Sequence, residues 1–409
     1  MTTNRLTDVD ERLRELFPGR LARPSMHVGD PPPLAVSGAG AWVTDEFGHR
    51  LFDLNNNFTA NIHGHAHPEL TEIARHVLAS GVSFGLPTPH ELAHAEALVA
   101  RVAAAERVKY AVSGTEAVMT AVRLARAATG RNRVILLRGA YHGTSDLVVL
   151  AHGARGARGV PRGMAEDLAF VAADDVAGLE AAVAEAGADL AAILLDLAPN
   201  YVGLRPLSPE FVAAAREATA RARACLIVDE VVNFRQATGG LQARYGVTAD
   251  LTVLGKLIGG GFPIGAVAGP AEVMAALDPS ARDGLIHGGT FAAAPLAMAA
   301  GRRALELFDA AAVEALNALG ERFRTRLRHA LPEGTGWEVR GLGSLAKLAP
   351  AAGVADPVAA SRGLWRRAYA AGVLITPSGM LSLSTPMTEA ELDEAADRLA
   401  AAALEEGAE

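Results

Sequence analysis

The sequence Leu251-Thr-Val-Leu-Gly-Lys-Leu-Ile-Gly-Gly-Gly-Phe-Pro263 places Lys256 directly after a short apolar run and just before three glycines. The apolar run is typical of a buried strand, so the lysine would stand at the strand's end. A charged side chain followed by glycines packs poorly in a core, but it suits a backbone that closely approaches a bound ligand. The stretch therefore indicates a buried strand that ends in a ligand site.

The same succession of apolar run, turn and alanine-rich segment recurs from about residue 107 to residue 270. Strands that alternate with helices indicate an α/β fold, with a mostly parallel sheet of the seven-stranded type and helices on both faces. The predicted strands are 107–112, 133–138, 191–197, 225–232, 251–254 and 264–268, and the predicted helices include 115–129, 176–186 and 208–222. We expect three parts: an N-terminal segment joining the small domain (1–45), a large domain (46–309) and a smaller C-terminal α/β domain (310–409).

Composition excludes several classes of function. The 409 residues carry 38 basic and 46 acidic side chains, a net charge of −8 that disfavours binding to nucleic acid. The single cysteine, Cys225, allows neither an intrachain disulfide nor a cysteine-based zinc site. The polar start and the lack of any apolar run of about 18 residues predict a cytoplasmic protein that binds no membrane.

Lysine is scarce in this sequence. Only Lys109, Lys256 and Lys347 occur, beside 35 arginines. An amine can form a Schiff base, whereas a guanidinium stays protonated and is a poor nucleophile. For Lys109 and Lys347 a cation at a strand edge is the simpler interpretation, whereas Lys256 is a candidate for covalent chemistry.

Two further segments carry polar groups beside predicted strands. Asp229 lies in the apolar run 225–232 at the end where ligands bind in parallel sheets, although a capping role explains it equally well. Ser113, Gly114 and Thr115 lead from a strand into a helix, where free backbone N–H groups and hydroxyls can hold a phosphate. A plain N-cap is the alternative for this second segment.

An aspartate, a lysine and a phosphate cradle together describe a pocket for a phosphorylated pyridine that bears an aldehyde. The sequence resembles the class III aminotransferases, which are fold-type I enzymes dependent on pyridoxal 5'-phosphate (PLP). It is most similar to the branch that holds glutamate-1-semialdehyde aminomutase and the β-amino-acid aminotransferases. The motifs that carry the resemblance are Ser113-Gly-Thr-Glu-Ala117, Tyr141-His-Gly143, Asp229-Glu-Val231, Gly255-Lys-Leu-Ile-Gly-Gly-Gly261 and Gly289-Thr-Phe291.

The resemblance implies roles for individual residues around the cofactor. Lys256 would hold PLP as a Schiff base and later move the proton between substrate and cofactor. Asp229 would pair with the protonated ring nitrogen. Tyr141 would stack on one ring face and Val231 on the other, with His142 also in the cofactor-binding set.

The resemblance also implies a phosphate site and a second subunit. Gly114 and Thr115 would bind the phosphate, with Ser113 beside them. Thr290 would reach the phosphate in the neighbouring subunit, so a homodimer with active sites at the subunit interface is expected. In the β-amino-acid branch an arginine soon after an early Pro-Gly binds the substrate carboxylate, which points to Arg23, with Arg20 as the weaker choice.

Three functions remain open from the sequence. The first is an aminotransferase that moves an amino group from an amino acid or amino-bearing metabolite to an oxo acid by a ping-pong mechanism. The second is an aminomutase of the glutamate-1-semialdehyde type, which the acid-free stretch Thr376-Pro-Ser-Gly-Met-Leu-Ser-Leu-Ser384 disfavours. The third is a binding module without turnover. The tract His63-Gly-His-Ala-His67 suggests a metal site, but a structural role is the stronger expectation.

Overall fold

A computed structural model of the protein describes residue 9 and residues 11–29 and 32–405. The polar start, apart from residue 9, lies outside these residues. The chain divides into two compact units. The larger unit comprises Thr59–Ile62 and Pro68–Asn317, and the smaller unit comprises Met1–Phe58, His63–His67 and Ala318–Glu409. The domain bounds 1–45, 46–309 and 310–409 stay predictions.

Both units contain strands and helices, and the two alternate through most of the larger unit. The strands are β1 (Ala35–Ala39), β2 (Trp42–Asp45), β3 (Arg50–Asp53), β4 (Arg107–Ala111), β5 (Arg133–Leu137), β6 (Leu168–Val171), β7 (Leu190–Leu195), β8 (Cys225–Asp229), β9 (Leu251–Gly255), β10 (Gly265–Gly269), β11 (Trp337–Leu342), β12 (Leu345–Pro350), β13 (Val373–Leu374) and β14 (Met380–Ser382). The longer helices are α1 (Pro68–Ser80), α2 (Pro89–Val99), α3 (Gly114–Thr129), α4 (Val176–Ala186), α5 (Pro209–Ala222), α6 (Pro295–Leu307), α7 (Ala310–Ala330), α8 (Pro357–Ala370) and α9 (Glu389–Leu404). Short helical turns occupy Asn56–Thr59, Asp146–Val149, Ala154–Ala157, Leu241–Tyr245 and Ala271–Met274.

The larger unit is built on a seven-stranded sheet in the order β4-β10-β9-β8-β7-β5-β6. Strands β5 to β9 pair in parallel, and β10 runs antiparallel to both of its neighbours, β4 and β9. The mostly parallel seven-stranded sheet expected from the sequence is confirmed. Strand β6 was not among the predicted strands.

Burial on both faces explains why the central strands are continuously apolar. Every residue of β7, β8 and β9 is buried. Helix α3 packs on this sheet through a stripe of small and aliphatic side chains that includes Ala117, Ala121 and Leu124. Alanines let the helix approach the sheet closely, and the resulting close packing keeps the strand ends in place.

The register of the central strands brings two polar side chains to one edge. Strands β8 and β9 are parallel neighbours, with Asp229 opposite Val253. Their carboxyl ends therefore meet at the same edge of the sheet, and Lys256 follows directly after β9.

The smaller unit contains two further sheets. One has the order β1-β2-β3-β13 and the other β11-β12-β14. Strands β2 and β3 form an antiparallel hairpin, and β13 from near the end of the sequence pairs parallel to β3. Among the described helices of the whole chain, none combines the length and apolar character that crossing a bilayer would need.

Candidate active site

Asp229 is the last residue of β8 and is buried at the sheet edge. Its Oδ1 accepts a hydrogen bond from the Val231 amide at 3.0 Å, and its Oδ2 lies 2.8 Å from Nδ1 of His142. The Oδ1 oxygen does not perform the capping role considered from the sequence, because the helical turn that follows, Asn233–Gln236, has Val232 as its N-cap and no side-chain cap. The second oxygen is held by a side chain.

His142 is the side chain that orients this carboxylate. The ring is buried, and Nδ1 donates to Asp229, which leaves Nε2 as the other nitrogen. Nε2 is buried and has no hydrogen-bond partner among the described residues. Burying a polar atom without a hydrogen-bond partner costs free energy. The ring is therefore held in this position by its hydrogen bond to Asp229.

Lys256 begins a 3-10 turn, Lys256–Gly259, at the end of β9. Its φ of 47° is in the left-handed region, which disfavours a residue with a Cβ and is found often at functional sites. Burial lowers the pKa of its amine, and the nearby Asp229 and Asp196 carboxyls oppose that shift. A lysine held this way is closer to an amine that can act as nucleophile or base at neutral pH.

The start of α3 provides the cradle expected near the site. Ser113 is the N-cap, and its hydroxyl accepts a hydrogen bond from the Glu116 amide at 3.2 Å. The N-cap role considered from the sequence is therefore what the Ser113 hydroxyl performs. Thr115 faces Gly143, where the Cβ of any larger residue would come within 2.5 Å of the threonine hydroxyl. The glycine of the Tyr-His-Gly motif is thus needed for close approach to Thr115.

The Val231 side chain lies where the motifs that contain Gly114, Asp229 and Gly255 come together. A Cβ on Gly114 would lie 3.1 Å from one Val231 methyl, and a Cβ on Gly255 would lie 3.3 Å from the other. The valine side chain therefore packs between the start of α3 and the end of β9. It forms an apolar wall beside Asp229, as a flat ring would require.

Asp196 is a second buried acid near Asp229. Its Oδ1 accepts hydrogen bonds from the Asn233 amide nitrogen Nδ2 at 2.7 Å and from the Ala198 backbone at 3.0 Å. Burial, reinforced by Asp229, raises the pKa of Asp196 to about 7. Asp196 and Asn233 were not among the predicted site residues, and their hydrogen bond joins positions 37 residues apart in the sequence.

Comparison with known proteins identifies the family. Residues 26–403 match the model described as aminotransferase class III. The chain belongs to the class III aminotransferases. The resemblance inferred from the motifs is confirmed, and the predicted fold agrees with that of solved transaminases.

Individual relatives carry two kinds of activity in their names. A glutamate-1-semialdehyde 2,1-aminomutase from Thermomicrobium roseum is 41% identical over 305 residues, which cover 72% of this chain and 70% of that protein. An omega-transaminase from Sphaerobacter thermophilus is 37% identical with a TM-score of 0.92, over 97% of this chain and 96% of that chain. A transaminase with PLP bound is 39% identical with a TM-score of 0.94, over 99% of each chain.

The cofactor of this class III aminotransferase is PLP, and the residues at the sheet edge suit that molecule. An amine, a buried carboxylate and a helix start with free N–H groups match its aldehyde, its ring nitrogen and its phosphate. Nε2 of His142 has no hydrogen-bond partner among the described residues, so one more hydrogen-bonding atom is available beside Asp229.

Tyr141 lies within an aromatic cluster that the sequence did not reveal. Its ring stacks on Tyr201, with centroids 5.4 Å apart and planes at 28°, and His152 meets Tyr201 edge-on at 5.9 Å. A cavity of about 430 Å³ is lined by residues that include His152 and Tyr201. Tyr201 and His152 lie in short 3-10 turns, which have no periodic pattern to mark them in a sequence.

The remaining predicted site residues are exposed. Thr290 follows Gly288 and Gly289 in the larger unit and is exposed, as are its neighbours Ile286 and Phe291. Arg23 lies in the smaller unit, exposed, and donates from Nη1 to Asn57 Oδ1 at 2.7 Å.

The histidine tract has structural partners. His65 Nε2 lies 2.7 Å from Asp53 Oδ2, and His63 Nδ1 lies 3.2 Å from the Thr385 hydroxyl. Among the described residues no group of three or more His, Cys, Asp or Glu side chains is arranged to hold a metal ion.

Proposed function

We propose that this class III enzyme is an aminotransferase that exchanges an amino group between an amino acid, β-amino acids included, or an amino-bearing metabolite and an oxo acid by a ping-pong mechanism. The observation that carries the proposal is the pairing of two strand ends. Asp229 ends β8, Lys256 follows the adjacent parallel strand β9, and the lysine amine has a pKa lowered by burial.

Each side chain has a defined task in this proposal. PLP, when bound, supplies a conjugated cationic ring that stabilises negative charge at the substrate Cα. Nζ of Lys256 would hold the cofactor covalently, and as a free amine it would take the substrate Cα proton as a general base and return it as an acid. Asp229 keeps the ring nitrogen protonated, and His142 holds the Asp229 carboxylate in place. Thr115 and the N–H groups at the start of α3 bind the phosphate, while Tyr141 and Val231 enclose the ring.

Recognition of the substrate carboxylate is proposed for Arg23. Its guanidinium is exposed, and among the described residues it forms no ion pair, so its charge is not neutralised by a neighbouring acid. An arginine is suited to this task because its planar fork pairs with both carboxylate oxygens.

The aminomutase is the second candidate because of the 41% identical relative of that name. An aminomutase must retain its intermediate until nitrogen has moved within one molecule. The segment 376–384 is short and held in place, with the Thr376 hydroxyl bonded to the Met380 carbonyl at 2.9 Å and the Ser382 amide bonded to the Leu54 carbonyl at 2.7 Å, and it holds no acidic residue. These features favour the aminotransferase.

Absorbance spectroscopy of the PLP enzyme distinguishes the two. An aminotransferase mixed with a donor amino acid alone converts stably to the pyridoxamine form and releases one equivalent of oxo acid per site. An aminomutase turns over glutamate 1-semialdehyde with no second substrate and releases no net oxo acid. Failure of every amine tested to change the spectrum would contradict both candidates.

We also propose that the enzyme acts as a homodimer in which Thr290 contacts the partner's cofactor phosphate. The exposed apolar side chains on either side of Thr290 support a protein contact there. A cytoplasmic location stays a prediction from the sequence.

A further inference from the structure

The Arg23 guanidinium is held by a neutral side chain and not by an acid. Many other arginines of this protein form ion pairs; Arg322 and Arg326, for example, lie 2.6 Å from Asp393 and Asp397. Arg23 instead donates to the neutral side-chain amide of Asn57, at 2.7 Å from Nη1 to Oδ1. Among the described residues this is its one side-chain hydrogen bond, and it makes no ion pair with them. Its orientation is therefore defined while its positive charge is kept.

Asn57 lies in a strained piece of backbone. Asn56, Asn57, Phe58 and Thr59 have φ values of 48°, 50°, 55° and 77°, a complete turn in the left-handed region without a glycine. Left-handed helical backbone is unfavourable for L-amino acids because the Cβ comes too close to the following carbonyl oxygen. Such strain persists only where surrounding contacts impose it, and it concentrates at ligand sites.

Buried hydrogen bonds within the smaller unit impose this turn. Oδ1 of Asp53 accepts from the amides of Asn55 and Asn56, both at 2.8 Å. Nδ2 of Asn56 donates to the carbonyl of Ser382 at 2.6 Å, and Oδ1 of Asn55 accepts from the Phe58 amide at 2.8 Å.

The side chain of Asn57 takes no part in holding the turn. Asn55 and Asn56 are buried and bonded to the turn or to Ser382, whereas Asn57 is exposed and its Oδ1 meets Arg23. Of the two asparagines within the left-handed turn, Asn57 is the one whose side chain does not hold the turn, and that side chain contacts the proposed carboxylate-binding arginine.

We propose that Asn57 is a positioning residue for substrate specificity, which holds the Arg23 guanidinium ready for the carboxylate of an amino acid. The inference rests on the proposed function of Arg23. A neutral amide suits this task better than an acid, because an aspartate would neutralise the guanidinium and compete with the substrate. The strained turn would then serve to present the Asn57 amide at a fixed place.

Two substitutions separate this role from a merely structural one. Asn57→Gly removes the amide and tolerates the left-handed backbone, so the turn should survive. Asn57→Asp keeps the shape and adds a competing charge. Asn132→Gly is the matched control, because Asn132 is exposed in the larger unit and its side chain makes no hydrogen bond with the described residues.

The readout is the half-reaction of the PLP enzyme, followed by absorbance. The substrates are the amino acid that the wild type converts fastest and the amine that results from its decarboxylation. For the amino acid we expect Asn57→Gly to raise KM on the order of tenfold, with kcat within about twofold, and Asn57→Asp to raise KM further. For the decarboxylated amine both variants should match the wild type, as Asn132→Gly should for both substrates.

The possible failures point to different causes. Equal losses for the two substrates, or an Asn57→Asp variant with the KM of the wild type, would overturn the positioning role. A melting temperature lowered in Asn57→Gly together with unchanged KM values would show that Asn57 only stabilises the turn. If the wild type converts no amino acid at all, the proposed function fails first, and the assignment of Asn57 falls with it.

Discussion

At the scale of single residues, Lys256 is the side chain on which the proposed chemistry depends. Lys256→Arg keeps a positive charge at the end of β9 but removes the nucleophilic amine. We expect this variant to fold, and to lose at least about 1,000-fold in turnover because neither covalent attachment nor proton transfer remains. The measurement is borohydride reduction in the presence of PLP followed by peptide mass mapping. Wild type should carry the label on Lys256 and the variant should carry none; label on Lys109 or Lys347 instead would contradict the assignment.

Asp229 allows a matched test, because asparagine preserves its shape. In Asp229→Asn the side-chain oxygen can still accept from the Val231 amide, which is now at 3.0 Å. The negative charge that stabilises a protonated ring nitrogen is lost, so we expect the single-turnover rate with a donor amino acid to fall at least about 100-fold. Cofactor attachment at Lys256 should persist. A rate within threefold of the wild type would remove Asp229 from the proposed catalytic set.

At the scale of elements, the turn that carries Lys256 is fixed by a buried histidine of α2. Nε2 of His94 lies 2.7 Å from the Ile258 carbonyl, and Nδ1 lies 2.8 Å from the Tyr110 hydroxyl. A carbonyl can only accept, so Nε2 carries the proton and Nδ1 accepts from tyrosine. Gly301 of α6 is needed at this place, because a Cβ there would collide with the Ile258 carbonyl.

This neutral histidine gives the protein a sensitivity to acid. Burial lowers the pKa of His94 from 6.5 to about 4, so between these values the unfolded chain binds a proton that the folded chain does not. Stability from this group is therefore lost as pH falls from about 6.5 to about 4. We expect a loss on the order of 2 kcal/mol in the free energy of unfolding between pH 7 and pH 5.

The double variant His94→Leu/Tyr110→Phe tests this expectation, since it removes both side chains of the His94–Tyr110 hydrogen bond and leaves only the Ile258 carbonyl without its donor. Urea unfolding at pH 7 and pH 5 should show a smaller decrease for the variant than for the wild type. An identical decrease in both proteins would mean that His94 does not set the acid sensitivity.

Elements differed in how far the sequence could predict them. Strands β8 and β9 were clear because burial on both faces demands continuous apolar runs. Strand β6, Leu168–Val171, was missed because it is a short, partly exposed edge strand. The left-handed turn at Asn56–Thr59 could not be predicted at all, since one of its supports comes from Ser382, 326 residues away from Asn56 in sequence.

The residues of the candidate site also divide into those that the sequence could predict and those that it could not. Lys256, Asp229 and Thr115 follow strands or begin a helix, so their neighbours in the sequence marked them. Tyr201 and the pairing of Arg23 with Asn57 depend on contacts that only the folded chain brings together. The positions of these residues at strand and helix ends were thus predictable from the sequence, whereas contacts between distant segments were not.

At the scale of the whole molecule, the segment around Thr290 bears on assembly. Ile286 is 87% exposed and Phe291 is 62% exposed, yet the segment is anchored. Nη1 of Arg123 donates to the Ile286 carbonyl at 2.7 Å, and Nε2 of His287 lies 3.0 Å from the Tyr110 carbonyl. Large apolar side chains that are held in water favour a protein contact.

We therefore expect Ile286→Glu to weaken the proposed homodimer, because a charge buried at an interface without a partner is strongly unfavourable. Sedimentation velocity should show a dimer for the wild type and a shift towards monomer for the variant. If Thr290 reaches the partner's cofactor phosphate, the monomer should also release PLP more readily on gel filtration.

Val358→Glu is the control, since Val358 is an exposed apolar residue of α8 in the smaller unit. A monomeric wild type that retains full activity would contradict the shared active site, and equal dissociation of both variants would show that Ile286 has no special place in the contact.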